Sequence, residues 1–256
     1  DTKLYARCDT DEDSQKLQDD LIKMQEWSDT WQLRFHPEKC TVLKIGRSPS
    51  SYDYRMKNGN ETTILKESKV ERDLGVLVDS KLTFKDHISH VISRSNRLLG
   101  VIRRSFANMD TDTFKLLYIG LVRSVLEYGQ AAWSPYRIGE QKRLESVQRR
   151  ATKMVPRLKN LPYETRLRYL KLPSLAHRRK RGDMIDVYKY LHGLYTTQTN
   201  LLHLCKENRT RGHTLKLEKT FSHLDIRKFF FSNRVVDTWN SLSEEVVNAP
   251  SVNAFK

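Results

Sequence analysis

Cysteine is scarce in this sequence, which has three, Cys8, Cys40 and Cys205, among 256 residues. The number is odd, and no two of these cysteines form a Cys-x-x-Cys pair. Disulfide-stabilised domains need paired cysteines and an oxidising compartment. The sequence therefore argues against a disulfide framework and for a reducing environment.

Long apolar runs are missing as well. No segment is apolar over the roughly 20 residues that a membrane-spanning helix needs, and no signal-peptide pattern is present. We therefore expect an intracellular location, in the nucleus and cytoplasm, and no membrane partner. Internal repeats and low-complexity segments are absent, while apolar and aromatic residues recur throughout, so we expect a folded chain. Its 256 residues suffice for one large domain or two small ones.

Positive charge is in excess and is unevenly distributed. The formal net charge is +15. Residues 1–85 contain 15 Lys+Arg and 16 Asp+Glu, a net charge of −1, whereas residues 86–256 contain 31 and 15, a net charge of +16. Residues 142–181 alone contain 14 Lys+Arg and 2 acidic residues. This distribution favours a polyanionic partner, and nucleic acid is preferred to an anionic membrane because no membrane segment accompanies it.

A small α+β part is predicted over the first 80 residues. Thr10 and Asp13 have the spacing of a capping box, and apolar residues then recur at helical spacing up to Trp31, which predicts a helix over 11–32. Strands are predicted at 1–7 and 40–45, in a hairpin of 52–56 and 62–65 around Asn58-Gly59, and at 70–78 around Gly75, with a Ser/Pro loop at 47–51.

Helical spacing replaces the strand patterns from residue 84 onward. Helices are predicted over 84–106, 111–128, 138–155, 174–195 and 229–242, with one further strand over 213–217. The helix at 111–128 is apolar over most of its circumference, so we expect it to be central and buried. The sequence therefore predicts a mainly α fold with a small α+β N-terminal part.

Five motifs carry a resemblance to a known family. The first three are Asp1-Thr2-Lys3-Leu4-Tyr5-Ala6, Trp31-x-Leu33-x-Phe35-His36-Pro37-x-Lys39-Cys40-x-x-Leu43 and Val70-x-x-x-Leu74-Gly75-Val76-x-Val78-Asp79-x-x-Leu82-x-Phe84-x-x-His87-Ile88. The fourth is Tyr128-Gly129-x-x-x-Trp133 followed by Leu144-x-x-x-Gln148-Arg149-Arg150-Ala151, and the fifth runs from Phe230-Phe231 through Trp239-Asn240 to Phe255. Together they resemble the C-terminal part of the reverse transcriptase of a jockey-like LINE (non-LTR) retrotransposon, with His36 where asparagine is usual.

The resemblance implies an arrangement along the chain. Residues 1–80 would be the C-terminal edge of a reverse-transcriptase palm with its primer-grip hairpin. Residues 81–160 would form a helical thumb, and residues 161–256 a basic helical C-terminal region. The chain opens on Asp1 instead of Met and directly on a strand pattern, so we expect a fragment of such a protein.

The resemblance also implies roles for particular residues. Asp1 matches the second aspartate of the family's catalytic box, Lys39 would lie near the phosphates of the incoming nucleotide, and Leu74, Gly75 and Val76 would belong to the primer grip. The intact enzyme uses Mg²⁺ held by several carboxylates. One carboxylate cannot supply a two-metal site, so we expect no complete metal site, no cofactor and no polymerase activity for this chain alone.

Exposed cations on the predicted helices are candidates for contacts with RNA, DNA or an RNA–DNA hybrid. Helical spacing would form them into a positive face able to follow a phosphate backbone. The candidates are Arg94, Arg97, Arg104, Arg143, Arg149, Arg150, Lys153, Arg178, Arg179, Lys180 and Arg181. His192, His203, Cys205 and His213 do not have the spacing of a zinc site, which needs four well-placed ligands.

Three functions agree with these patterns. The chain could be part of a retrotransposon RNA-directed DNA polymerase that contributes the grip on the primer–template duplex. It could be a non-enzymatic nucleic-acid-binding protein derived from such an element. It could also be a helical protein-interaction module with an incidentally basic surface, which would bind nucleic acid weakly and with a shallow dependence on salt.

Overall fold

The computed structural model describes residues 2–46, 51–59, 61–106, 108–197, 200–205 and 212–256. The chain divides into two compact units, residues 1–84 and residues 85–256. Among the described residues, the first unit contains one α-helix and six short strands, and the second is built from helices and turns. The predicted mainly α fold with a small α+β N-terminal part is thus confirmed. The loop expected at 47–51 lies outside the described residues except for Ser51.

The first unit packs its helix against a hairpin. In chain order it consists of α1 (Asp11–Thr30), a 3-10 turn (Pro37–Lys39), β1 (Thr41–Leu43), β2 (Arg55–Asn58), β3 (Glu61–Ile64), β4 (Lys66–Ser68), β5 (Val70–Asp73) and β6 (Val76–Asp79). The capping box is confirmed: the Asp13 amide donates to Thr10 Oγ1 at 3.2 Å and the Thr10 amide donates to Asp13 Oδ2 at 3.1 Å. Leu21 of α1 packs with Tyr54 and Met56 in a small core.

The strands of the first unit form three two-stranded sheets. β1 pairs with β4 in parallel, a pairing that the sequence did not predict. β2 and β3 form the expected hairpin, but Asn58 pairs with Glu61, so the turn begins at Gly59 (φ +64°) and not at Asn58. β5 and β6 form a second hairpin around Leu74 and Gly75.

The predicted strand at 1–7 is wrong for the residues that are described. Residues 2–8 have no regular secondary structure, and residues 2–7 are exposed. A strand needs a neighbour that accepts and donates its backbone hydrogen bonds, and no described strand lies alongside this segment. Trp31 also differs from expectation. The helix ends at Thr30, Gln32 is left-handed (φ +59°), and the Trp31 side chain is therefore exposed.

The second unit is a helical array. Its helices are α2 (Lys85–Ser105), α3 (Thr111–Leu117), a π-helical segment (Tyr118–Arg123), α4 (Ser124–Glu127), α5 (Gln130–Trp133), α6 (Ile138–Ala151), α7 (Tyr163–Leu170), α8 (Leu175–Leu191), α9 (Asp225–Lys228), α10 (Phe231–Arg234), α11 (Val236–Asn240), α12 (Glu244–Val247) and α13 (Val252–Phe255). Two 3-10 turns, Thr152–Met154 and Pro156–Leu158, connect α6 to α7. α2 packs beside α6, and α8 packs on α5, α6, α11 and α13.

The apolar stretch at 111–128 is helical as predicted, but it is buried on one face only. Phe114, Tyr118, Val122 and Leu126 are buried, whereas Leu116 is among several exposed apolar residues. These four residues recur every fourth position, so they form one stripe. The widened π-helical turn keeps that stripe facing the core over the whole segment. The expectation that this helix is buried thus holds for one face only, because one apolar stripe is enough to anchor it.

The strand predicted at 213–217 is reduced to a single bridge between Leu204 and Leu217. The backbone amide and carbonyl of Leu217 form hydrogen bonds with a side chain instead of with a second strand. Its amide donates to Asn240 Oδ1 at 2.9 Å, and its carbonyl accepts from Asn240 Nδ2 at 2.9 Å. The helix predicted at 229–242 is interrupted between α10 and α11 at Val235.

A left-handed glycine shapes the entry to α5. Gly129 has φ +61° and ψ +19° at the N-cap of this short helix. The turn lets the buried Trp133 indole donate to the carbonyl of Tyr128 at 2.7 Å. The Trp133 ring also meets His87 of α2 edge-on, with ring centroids 4.9 Å apart. The Tyr128-Gly129-x-x-x-Trp133 motif thus has a structural reason.

We expect Gly129→Ala to destabilise the second unit by about 1 kcal/mol, because a side chain in the left-handed region costs roughly that much. Gly139→Ala is the matched control. Gly139 is helical, and an added Cβ would meet no atom within 4 Å, so its substitution should be neutral or slightly stabilising. Thermal and urea denaturation measure both. Equal stability of the two variants would contradict the conformational role of Gly129.

Candidate nucleic-acid interface

One shallow, open groove of the second unit lies on α2, and two arginines of α6 contact residues that line it. The groove runs along α2 and is lined by Ser89, Ile92, Ser93, Asn96, Arg97, Gly100, Val101 and Arg104. We call it the α2–α6 groove because arginines of α6 reach across to it. Arg143 Nη2 donates to Ser89 Oγ at 3.1 Å, and Arg150 Nη1 donates to Asn96 Oδ1 at 2.9 Å. These contacts place two cations of α6 beside those of α2.

The cations of α2 follow one exposed side of the helix. Arg97 and Arg104 are separated by seven residues, or two turns, so they lie in one row. Arg94 lies three residues before Arg97 and extends the exposed side. Within the described parts of the chain, no acidic side chain forms an ion pair with Arg97, Arg104 or Arg150. Arg143 is paired with Glu140, Nη1 to Oε2 at 2.8 Å.

Arg149 and Lys153 lie elsewhere on the surface of α6 and the turn after it. The Arg149 guanidinium carbon lies 4.1 Å from the centroid of the Tyr163 ring, and its Nη2 is 3.9 Å from Glu164 Oε1. Both partners belong to α7, so Arg149 leans away from α2. Lys153 is exposed in the 3-10 turn that follows α6. These two candidates therefore do not join the α2–α6 groove.

The four basic candidates of α8 divide between interior and surface. Arg178 forms a bidentate pair with Glu127 at 2.7 Å and 2.7 Å, and this hydrogen bonding raises the pKa of the guanidinium. Arg179 is buried, which lowers its pKa, while the charges of Glu145 and Asp183 oppose that effect. Lys180 is exposed, and Arg181 donates to the carbonyl of Lys256 at 3.2 Å. The geometry therefore removes Arg178 and Arg179 from the surface that could meet a phosphate.

A buried polar network fixes the start of α8 against α6 and α7. Gln148 Oε1 accepts from the Tyr118 hydroxyl at 2.6 Å, and Gln148 Nε2 donates to the Tyr163 hydroxyl at 2.9 Å and to the Pro173 carbonyl at 3.1 Å. Glu145 accepts from the Tyr163 hydroxyl and from the Leu175 amide at the start of α8. Burial raises the pKa of both tyrosines, so both hydroxyls stay protonated and can donate.

Sequence reasoning missed several residues that shape this region. Ser89 and Asn96 hold the α6 arginines, but polar residues on an amphipathic helix carry no distinguishing signal. Arg234, a member of the fifth motif, pairs with the buried Asp183 at 2.9 Å and 2.8 Å. Their separation of 51 residues hides this pair in the sequence. An isolated acid in a strongly basic segment, such as Glu145, is the one signal that could have been used.

The site residues of the first unit are distributed over separate turns. Asp1 lies outside the described residues. Lys39 is exposed in the 3-10 turn Pro37–Lys39, and burial raises the pKa of the neighbouring Cys40 thiol, which packs against the small core. Leu74 and Gly75 form the tip of the β5–β6 hairpin, with φ +46° and +86°.

The comparisons with known proteins agree with the motifs. The chain is 23% identical over 171 residues to the RNA-directed DNA polymerase from mobile element jockey of Drosophila melanogaster, a match that covers 62% of this chain and 18% of that protein. It is 25% identical over 170 residues to the probable RNA-directed DNA polymerase from transposon BS of the same organism, covering 64% and 18%.

The chain is similar to part of a jockey-like LINE reverse transcriptase. The resemblance inferred from the motifs is thus confirmed. The aligned region spans less than a fifth of the length of these curated relatives. No protein-family model matches the chain, and no solved structure matches it.

The reverse-transcriptase resemblance implies Mg²⁺, but the described residues do not fit a metal site. Among them, no group of three or more His, Cys, Asp or Glu side chains could hold a metal ion. His192 instead hydrogen-bonds the Val247 carbonyl at 3.0 Å, and His213 the Trp239 carbonyl at 3.1 Å.

No described helix combines the length and apolar character that crossing a bilayer requires.

We expect Arg178→Gln to destabilise the second unit by about 2 kcal/mol, because it breaks charge-assisted hydrogen bonds to a poorly exposed carboxylate. The side chains are about one fifth exposed, so the cost should be below that of a fully buried pair. Lys180→Gln, two residues away and exposed, should change stability by less than about 0.5 kcal/mol. Urea denaturation tests the contrast. A small effect at Arg178 would mean that its ion pair with Glu127 does not hold α8.

Proposed function

We propose that the second unit binds the phosphate backbone of nucleic acid, with an RNA–DNA duplex as its main ligand, through the α2–α6 groove. The observation that carries the proposal is the reach of Arg143 and Arg150 from α6 to Ser89 and Asn96 of α2. Through it, cations from two helices border one groove.

The chemistry of the groove suits phosphate. Arg97, Arg104 and Arg150 are exposed and form no ion pair with any acidic side chain in the described segments, so they can each neutralise a phosphate and release a counterion. Serine and asparagine side chains can donate further hydrogen bonds to phosphate oxygens, and Ser93 is such a residue in this groove. None of these contacts reads a base edge. We therefore expect affinity for the backbone with little sequence preference.

This binding fits both functions that involve nucleic acid. In a polymerase it would hold the primer–template duplex, while metal-dependent addition of deoxynucleotides to a DNA 3′ end would depend on carboxylates outside the described residues. In a derived binding protein the same grip would serve without catalysis. The first function is preferred because both relatives are named RNA-directed DNA polymerases.

We expect the triple variant Arg97→Gln, Arg104→Gln, Arg150→Gln to bind an RNA–DNA duplex more weakly and with a shallower salt dependence. Each lost phosphate contact should reduce the slope of log affinity against log salt by about 0.9, so the slope should fall by about 3. Fluorescence anisotropy across a salt series measures this.

The matched control removes three exposed cations outside the groove, in Arg157→Gln, Lys159→Gln, Arg168→Gln. Arg168 belongs to α7, which meets α6 on the side of Arg149. The control should keep most of the slope. Equal losses in both variants would indicate unspecific attraction by net charge. A shallow slope in the unsubstituted chain would favour the protein-interaction module instead.

We also propose that the tip of the β5–β6 hairpin contacts a primer end of nucleic acid, as a primer grip would. Leu74 is a non-glycine residue in the left-handed region, and its apolar side chain is 75% exposed. Such a conformation costs about 1 kcal/mol, and backbone strain of this kind is concentrated at functional sites. Val76, the first residue of β6, is buried and anchors the hairpin.

We expect Leu74→Gly to stabilise the first unit by about 1 kcal/mol by relieving this strain and to weaken binding of a duplex with a primer end. Ile64→Thr, which removes an exposed apolar residue from β3 without left-handed backbone, should change neither property by as much. Thermal denaturation and anisotropy titration measure both. Unchanged binding in Leu74→Gly would remove the hairpin tip from the interface.

A further inference from the structure

A second surface of the 85–256 unit presents aromatic rings on a tied loop. The loop spans Thr220 to Phe230, and the buried Asn233 side chain contacts it at two points. The Thr220 amide donates to Asn233 Oδ1 at 3.2 Å, and Asn233 Nδ2 donates to the Arg227 carbonyl at 3.0 Å. One side chain thus ties Thr220 to Arg227, and Phe221 and His223 lie in the segment between these two points.

The rings of this loop are exposed or already stacked. Phe221 is 82% exposed and Phe230 is 41% exposed. Phe221 meets His223 edge-on, with centroids 4.9 Å apart. Phe229 stacks on Tyr136, which precedes α6, at 4.8 Å with an interplanar angle of 4°. We call these five rings the aromatic platform.

Cations accompany the rings. The Arg137 guanidinium carbon lies 5.6 Å from the Tyr136 ring centroid, Lys228 Nζ lies 5.6 Å from that of Phe229, and the Arg227 guanidinium carbon lies 5.7 Å from that of Phe230. These distances are within the range of cation–π contact. Three of the five rings therefore have a positive charge beside them.

We propose that the aromatic platform binds unpaired bases of single-stranded nucleic acid by stacking. A base has a flat π face next to a phosphate charge, and this platform presents the complement of both. Exposed phenylalanine rings supply stacking area to any of the bases, and Arg137, Arg227 and Lys228 supply the attraction for phosphates. Such binding tolerates sequence variation, because every base has a face.

The site shares no residue with the α2–α6 groove, although Arg137 beside Tyr136 lies close along the chain to Arg143. Arg137 immediately precedes α6, and Arg143 at the groove is six residues farther along, which is about 9 Å along a helix axis. The stacking site itself does not depend on the groove, so each can be tested without the other.

An apolar partner is the competing occupant, because Leu224 and Ile226 in the same loop are also exposed. The cations beside the rings favour nucleic acid over a neutral protein surface. They would also suit an anionic membrane. The experiment therefore has to separate stacking on π faces from burial of apolar area.

The test is the double variant Phe221→Leu, Phe230→Leu in the 256-residue chain. Leucine keeps the apolar character but removes the ring face, so base stacking should be lost while apolar docking would remain. We expect affinity for a short single-stranded oligonucleotide to fall by about tenfold, and the quenching of a 2-aminopurine base in it to disappear. Affinity for a blunt duplex should stay within about twofold, because backbone contacts supply most of it.

The controls make the result decisive. Tyr169→Leu, which removes an exposed ring from α7, should leave both signals unchanged. The triple groove variant should lower duplex affinity and keep the 2-aminopurine quenching, which separates failure of this site from failure of the groove. Retained quenching in Phe221→Leu, Phe230→Leu would overturn the proposal. A second outcome would overturn the proposal in favour of a membrane surface. In it, the chain shows no oligonucleotide stacking but binds phosphatidylserine vesicles, and this binding is lost when Phe221 and Phe230 are changed to alanine but not when they are changed to leucine.

Discussion

The side-chain amide of Gln148 joins four segments of the second unit, and much of the surface depends on it. It links α6 to the π-helical segment through Tyr118, to α7 through Tyr163, and to the start of α8 through the Pro173 carbonyl. A buried amide must satisfy its hydrogen bonds, so these segments can meet in few other ways. Glu145 adds the Leu175 amide, and Arg179, one turn later on α8, then faces the interior.

The arginines of the second unit therefore fall into two groups, one that stabilises the fold and one that is exposed to solvent. Arg166, Arg178, Arg179 and Arg234 are turned to carboxylates, carbonyls or the interior, where planar guanidinium groups can satisfy several acceptors at once. Arginines on the outer sides of α2 and α6 face solvent. A basic segment of this kind therefore carries less free positive charge than its composition indicates, and the exposed cations that remain lie partly beside α2 and partly elsewhere on the surface.

The family motifs consist largely of residues that hold the fold. Asp79 accepts hydrogen bonds from the amides of Lys81, Thr83 and Phe84 and so shapes the turn that ends the first unit. Trp239 is buried and donates to the Leu215 carbonyl. The Asn240 side chain accepts from the Leu217 amide and donates to the Leu217 carbonyl, as a neighbouring strand would. These motif residues therefore hold the fold of this chain, and contacts with a ligand are left to exposed residues.

The sequence by itself determined the longer helices, the hairpin of β2 and β3, and the segment that carries the positive charge, but neither α7 nor the break at Val235. Helical spacing, a capping box and turn glycines act over a few neighbouring residues, so they can be recognised without the fold. Only the tertiary structure decided which cations are free. Arg178 and Lys180 have the same local surroundings in sequence, and a glutamate 51 residues away separates their roles. The same holds for the rings of the 220–230 loop, because exposure and stacking are set by contacts between distant segments, which periodicity cannot show.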